Sequence, residues 1–151
     1  MDTVQRFKRV MTEKILVPMD RSEQSRRTLE YAIEHRPDAD ITVLHAYGIE
    51  DASAARGAVI VMNEEVREAA KQHATEIFER AREIAADAGY DGEIDTIAEE
   101  GDPARVIADH ASDFDAVFIG RHGRGSSAQI LLGSVAEKVV RRAPVPVTVV
   151  K

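Results

Sequence analysis

The sequence predicts an α/β fold: an open five-stranded parallel sheet with helices on both faces, strand order 3-2-1-4-5, in a single domain. Two observations predict it. Five short apolar runs rich in β-branched residues alternate with four segments of helical period, the pattern of parallel strands joined by crossover helices. At 151 residues the chain suits one domain, and a domain of that size buries enough surface to fold without staples.

Lys14–Pro18 reads as a buried strand, and 22–35 as a helix with Leu29, Ala32 and Ile33 on one face, ended by Pro37. Residues 41–46 form the second strand, followed by an Ala-, Ser- and Gly-rich linker over 48–62. Asn63 is a candidate N-cap for a long helix whose stripe runs Val66, Ala70, His73, Ile77, Ala81, Ile84 and Ala88 until Gly89 stops it. Residues 93–98 are more polar, as an edge strand requires. Asp102 and Pro103 suit the N-cap and first position of the next helix, with Val106, Ile107 and His110 as its buried face. The fourth strand is 116–119, the fourth helix Ser134–Arg142 and the fifth strand 145–150. Residues 1–13 form an extension, and the fold is expected over 14–151.

Composition narrows the function. A net charge of −7 argues against a surface shaped for nucleic-acid backbones. With no cysteine there is no disulfide, thiolate metal site or thiol nucleophile, which fits a reducing compartment, and the cytoplasm is the expected location. Asp2, Arg6, Lys8 and Arg9 interrupt any leader-like apolar stretch. No run approaches the roughly 20 apolar residues of a membrane span.

The chemistry concentrates between the fourth strand and fourth helix, where Gly120, Gly123, Gly125 and Gly133 precede Ser134. Glycines let backbone N–H groups approach an anion, and a helix N-terminus adds unpaired donors with a positive dipole end. A ligand is expected past the carboxyl ends of the first and fourth strands, where the strand order reverses. The plainer reading is a loop followed by a capping box, Ser134 with Glu137, which stabilises a helix with no ligand present. These residues alone leave the two readings balanced. No P-loop is present, because no glycine is followed by Lys-Ser or Lys-Thr.

The spacing Gly120-x2-Gly123-x9-Gly133-Ser134 resembles the glycine signature of the universal stress protein family. Ile15-Leu-Val-Pro18-Met-Asp20-Arg-Ser22 resembles that family's opening strand and Asp-x-Ser turn, and Leu44-His45-Ala46, Glu100-Gly101-Asp102-Pro103 and the final Val-Pro-Val fit as well. The resemblance implies an adenine-nucleotide site for ATP or AMP, with Mg²⁺ arriving only with the nucleotide. In it Pro18 and Asp20 lie beside the adenosine, Asp20 accepting from ribose hydroxyls, and Ala46 meets adenine through its backbone. Gly120 and Gly123 line the nucleotide, while Gly133, Ser134 and Val135 offer N–H groups to phosphate. It also implies a homodimer joined through 145–150. For that strand, Pro146 is expected to face its backbone outward with Thr148 and Val150, making Thr148→Pro the change that breaks the dimer.

Arg21 departs from the glycine common in this turn and either alters its backbone or brings a cation toward phosphate. Asp20 read alone is better explained as a helix cap; the joint motif favours the ribose. Arg121, His122 and Arg124 either add charge near phosphate or are solvated. His45, His73 and His110 read as structural. Glu99, Glu100 and Asp102 suggest magnesium but are explained more simply by an edge strand running into a capped helix. No catalytic constellation and no metal-ligand spacing is visible. The expected function is therefore a nucleotide-binding stress-response module with at most slow ATP hydrolysis. Its alternatives are a nucleotide-free dimeric scaffold, a slow ATP-hydrolysing or adenylating enzyme, and, more remotely, a flavin-binding domain.

Overall fold

In the computed structural model the described residues are 12–48, 63–121 and 133–151. Most of the extension, the linker from 49 to 62 and the loop carrying His122, Gly123 and Arg124 lie outside them. The elements run β1 (Lys14–Pro18), α1 (Glu23–His35), β2 (Asp40–Tyr47), α2 (Glu64–Asp87), β3 (Asp95–Glu100), α3 (Pro103–Ala111), β4 (Ala116–Gly120), α4 (Ser134–Arg142) and β5 (Val147–Val150). All strand pairs are parallel and their order is β3-β2-β1-β4-β5, as predicted.

The central strands are apolar on both sides because helices cover both faces. Ile15, Val17, Ile41, Val43 and Phe118 pack with α1 and α2. Leu16, Leu44, Val117 and Ile119 point the other way, onto α3 and α4. Ile15, Leu16 and Val17 are all fully buried, which at roughly 1.5–3 kcal/mol each makes β1 the spine of the domain.

Local signals set the helix ends. Asn63 caps α2 through its side chain at 2.9 Å from Val66 N, and Asp102 caps α3 at 3.1 Å from Arg105 N. Gly89, with φ +79°, follows the α2 C-cap in a conformation that a side chain disfavours. Tyr90 then donates its hydroxyl to Ala39 O at 2.8 Å and accepts from Ile41 N at 3.2 Å, fixing the start of β2; burial raises its phenol above the usual range.

The strand ends of β2 and β4 differ from expectation by one residue, and two strands differ by two. The third strand is Asp95–Glu100 because it pairs with β2 from Thr42↔Asp95 to Tyr47↔Glu100, so its partner fixes its extent. The fifth begins at Val147, where its register with Val117 starts. Among the described residues no helix is long and apolar enough to cross a membrane.

Candidate functional site

β1 leads into α1 on one face of the sheet, while its neighbour β4 leads toward α4 on the other. Where adjacent strands send their connections to opposite faces, a crevice opens past their carboxyl ends. The described residues of the glycine and aspartate motifs converge there. Pro18 ends β1, Ala46 lies near the end of β2, Gly120 ends β4, and Gly133, Ser134 and Val135 open α4.

The turn from β1 into α1 is held from several directions. Met19 N–H donates to Leu44 O at 2.8 Å, and Met19 O accepts from His45 Nδ1 at 2.8 Å. Asp20 N–H donates to Ser25 Oγ at 3.0 Å, and the Ser25 hydroxyl returns a bond to Asp20 Oδ1 at 2.8 Å. Ser22 N–H reaches the same Oδ1 at 2.7 Å. The cap of α1 is Ser22, whose Oγ accepts from Ser25 N at 3.1 Å. Asp20 is thus not the cap itself but the acceptor that shapes the turn before it.

Arg21 turns toward α2, where Nη2 meets Glu76 Oε2 at 2.8 Å. Its guanidinium is engaged there, away from α4. Both partners are more than half exposed, so the pair contributes little to stability.

At α4 the predicted capping box does not form. The N-cap is Gly133, with no side-chain cap hydrogen bond, and Ser134 is the first helical residue. Gly133 N–H donates to Arg121 O at 2.7 Å, and Gly133 O accepts from Glu137 N at 2.9 Å. The N–H groups of 134–136 precede the first intrahelical donor, so helix geometry supplies them no partner. A glycine cap leaves such donors open to an anion.

Gly120 has a reason of its own. A Cβ there would stand 2.6 Å from Gln24 Cγ and 3.1 Å from Thr28 Oγ1. Gln24 crosses this gap to donate Nε2 to Val150 O at 2.7 Å, so α1 lies directly over the end of β4. Sequence reasoning missed Gln24 and Ser25. Ser25 is foreshadowed by the run Asp20-x-Ser22-x-x-Ser25; Gln24 has no local signal, because its partner lies 126 residues away.

The remaining polar candidates have structural partners. Glu99 Oε1 lies 3.2 Å from His110 Nε2, Glu100 pairs with Arg67 at 3.2 Å, and Asp102 caps α3. No metal-binding group of three or more occurs among the described residues. His45 is 5% exposed, its ring 5.6 Å from that of His73, and its Nε2 is buried without a hydrogen bond.

The backbone of β5 runs opposite to expectation. Pro146 O accepts from Val117 N at 3.0 Å and Val150 O from Arg121 N at 2.8 Å. Pro146, Thr148 and Val150 therefore face β4, and Val147 and Val149 present their backbone groups to the outer edge. Proline is tolerated because it precedes the first paired residue, Val147. Thr148→Pro would disturb the sheet itself.

Fold and crevice together define a doubly wound α/β domain with donors and a carboxylate at its switch point. The family profile described as the universal stress protein family matches residues 11–151. Universal stress protein YxiE of Bacillus subtilis is 31% identical over 150 residues, covering 93% of this chain and all of that one. Among solved structures, hypothetical protein MJ0577 superposes with a TM-score of 0.76 at 27% identity, covering 93% of this chain and 96% of its own. The universal stress protein from Archaeoglobus fulgidus in complex with dAMP gives a TM-score of 0.61 at 24% identity, covering 93% and 98%. The chain belongs to the universal stress protein family.

Proposed function

We infer that this protein is a cytoplasmic stress-response module that binds an adenine nucleotide, ATP or AMP, in the crevice between β1 and β4. One observation carries the reading: the held carboxylate of Asp20 and the glycine-capped α4 N-terminus follow the ends of the neighbouring strands β1 and β4 on the switch-point side of the sheet. The residues fit the ligand. A carboxylate can only accept, which suits ribose hydroxyls, and open N–H groups can only donate, which suits phosphate. The dAMP complex of the related fold supports the adenine class. Pro18 and Ala46 would flank the adenosine, Gly120 and Gly123 would line the nucleotide, and Gly133, Ser134 and Val135 would donate to phosphate, with Mg²⁺ entering only on the nucleotide.

Catalysis is confined to slow hydrolysis at most, since the described carboxylates and histidines near the crevice are engaged in turns, caps and ion pairs. A homodimer would form through the outer edge of β5, where Val147 and Val149 are half-buried and their backbone groups pair with no other strand among the described residues. Mass spectrometry of nucleotide released from the freshly purified protein should find AMP or ATP. Calorimetric titration should give micromolar-range affinity, the order expected when several donors and one ribose contact offset ordering costs. No heat and no thermal shift at millimolar nucleotide would refute the reading.

A further inference from the structure

We propose that His45 is the positioning residue of the ribose contact, acting through the peptide that joins Met19 to Asp20; this rests on the nucleotide reading above. That peptide is clamped at both of its polar atoms. Its oxygen takes a bond from His45 Nδ1 at 2.8 Å, and its N–H gives one to Ser25 Oγ at 3.0 Å. A carbonyl can only accept, so Nδ1 carries the proton. The plane of this peptide, together with φ of Asp20, sets the direction of the Asp20 Cα–Cβ bond, and rotating the plane would break both bonds at once.

The Ser25 side of the clamp belongs to α1, while the His45 side belongs to β2. His45 therefore ties the carboxylate to the sheet that carries Ala46, the next residue along. Sugar and base contacts are held in register by neighbouring positions of a single strand. Packing alone does not explain a histidine here. The ring is 5% exposed and its Nε2 finds no hydrogen bond, an arrangement in which an apolar side chain of similar size would be favoured. The bond from Nδ1 is what the apolar residue could not supply.

The test compares two amide substitutions in the full chain. Asparagine sets its NH₂ near the position of Nδ1, and glutamine sets it near Nε2. The readout is the ratio of affinities for adenosine and 2′,3′-dideoxyadenosine, which reports the ribose contact and is insensitive to a general loss of stability. The wild-type protein should prefer adenosine by about tenfold, as one or two hydrogen bonds to a charged group imply. His45→Asn should keep that ratio within about twofold, and His45→Gln should bring it close to one.

Equal ratios in wild type and His45→Gln, with both affinities reduced alike, would overturn the positioning role and leave the nucleotide reading standing. If His45→Gln does not fold, His45→Asn decides, and loss of its ratio overturns the proposal. Wild-type protein that binds both nucleosides equally removes the ribose contact and the proposal together. Wild-type protein that binds neither nucleoside at millimolar concentration overturns the proposal, and titration with ATP then decides the nucleotide reading separately.

Discussion

The two ends of the crevice are built on opposite principles. At the β1–α1 turn the polar groups are tied to one another: Asp20 Oδ1 takes two donors, Ser22 caps the helix, and Met19 is bonded through both its N–H and its carbonyl. At the start of α4, the glycine cap has no side chain with which to satisfy the first turn. One end is closed by its own side chains, and at the other the cap residue has no side chain to offer. As the proposed nucleotide site, the crevice would benefit from this division. The sugar needs an acceptor in a fixed direction, and the phosphate needs donors that no side chain has already claimed.

The largest effect should come from making the open end resemble the closed one. Gly133→Asp supplies a carboxylate at the N-cap, which would bond the first-turn N–H groups and repel phosphate. ATP affinity should fall by roughly two orders of magnitude, as loss of several charge-assisted bonds implies, with adenosine affinity little changed. Thermal stability should rise by a few tenths of a kcal/mol, since aspartate caps slightly better than glycine. Opposite signs for binding and stability, read by calorimetry and thermal melts, would mark the open end as a ligand site. A gain in stability with no loss of ATP affinity would show that phosphate does not bind there.

Asp20→Ala attacks the closed end, and here binding and stability should fall together. Two local donors lose their acceptor, costing about 1–2 kcal/mol, and adenosine should bind about tenfold more weakly. Retained adenosine affinity after a measured loss of stability would confine Asp20 to the turn. A change remote from both ends should spare them. Val149→Pro removes an N–H from the outer edge of β5 while the carbonyls facing β4 keep their bonds. Light scattering should show a dimer becoming monomer at low micromolar concentration, with nucleotide binding kept; an undiminished dimer would place its interface elsewhere. Smallest of all, Arg21→Ala should change stability by less than about 0.5 kcal/mol, given its exposed partner. It should leave ATP affinity within about twofold; a larger drop in calorimetry would mean that the guanidinium reaches the nucleotide.

Much of this was legible in the sequence where a feature depends on nearby residues. Alternating period read out the fold class and its layers, and Asn63, Asp102 and Gly89 act at the helix ends where their chemistry suggests. The capping box at Ser134 was misleading because the same four letters suit a helix that begins one residue earlier. Which residue caps depends on how the chain arrives, and the bond from Gly133 N–H to Arg121 O sets that. The facing of β5 was misread for a related reason. Val147, Val149 and Val150 are all apolar, so no polar alternation marks one edge from the other, and Pro146 turns its carbonyl to β4 at the start of the ladder, where its missing N–H is not required. The clamp on Met19 and the reach of Gln24 join distant segments, and no local pattern encodes either.

Helix α4 is nine residues long, with only Ala136 and Val139 fully buried. A helix so lightly anchored is among the first parts of a domain to open transiently, and its amides should exchange with solvent sooner than those of α1. A phosphate seated on its first turn would have to be released before the helix could unwind, so occupancy would be converted into slower opening of this one segment. The nucleotide would then act on the protein as a fastener, and its presence or absence could be read by a protease or a partner that never touches the crevice.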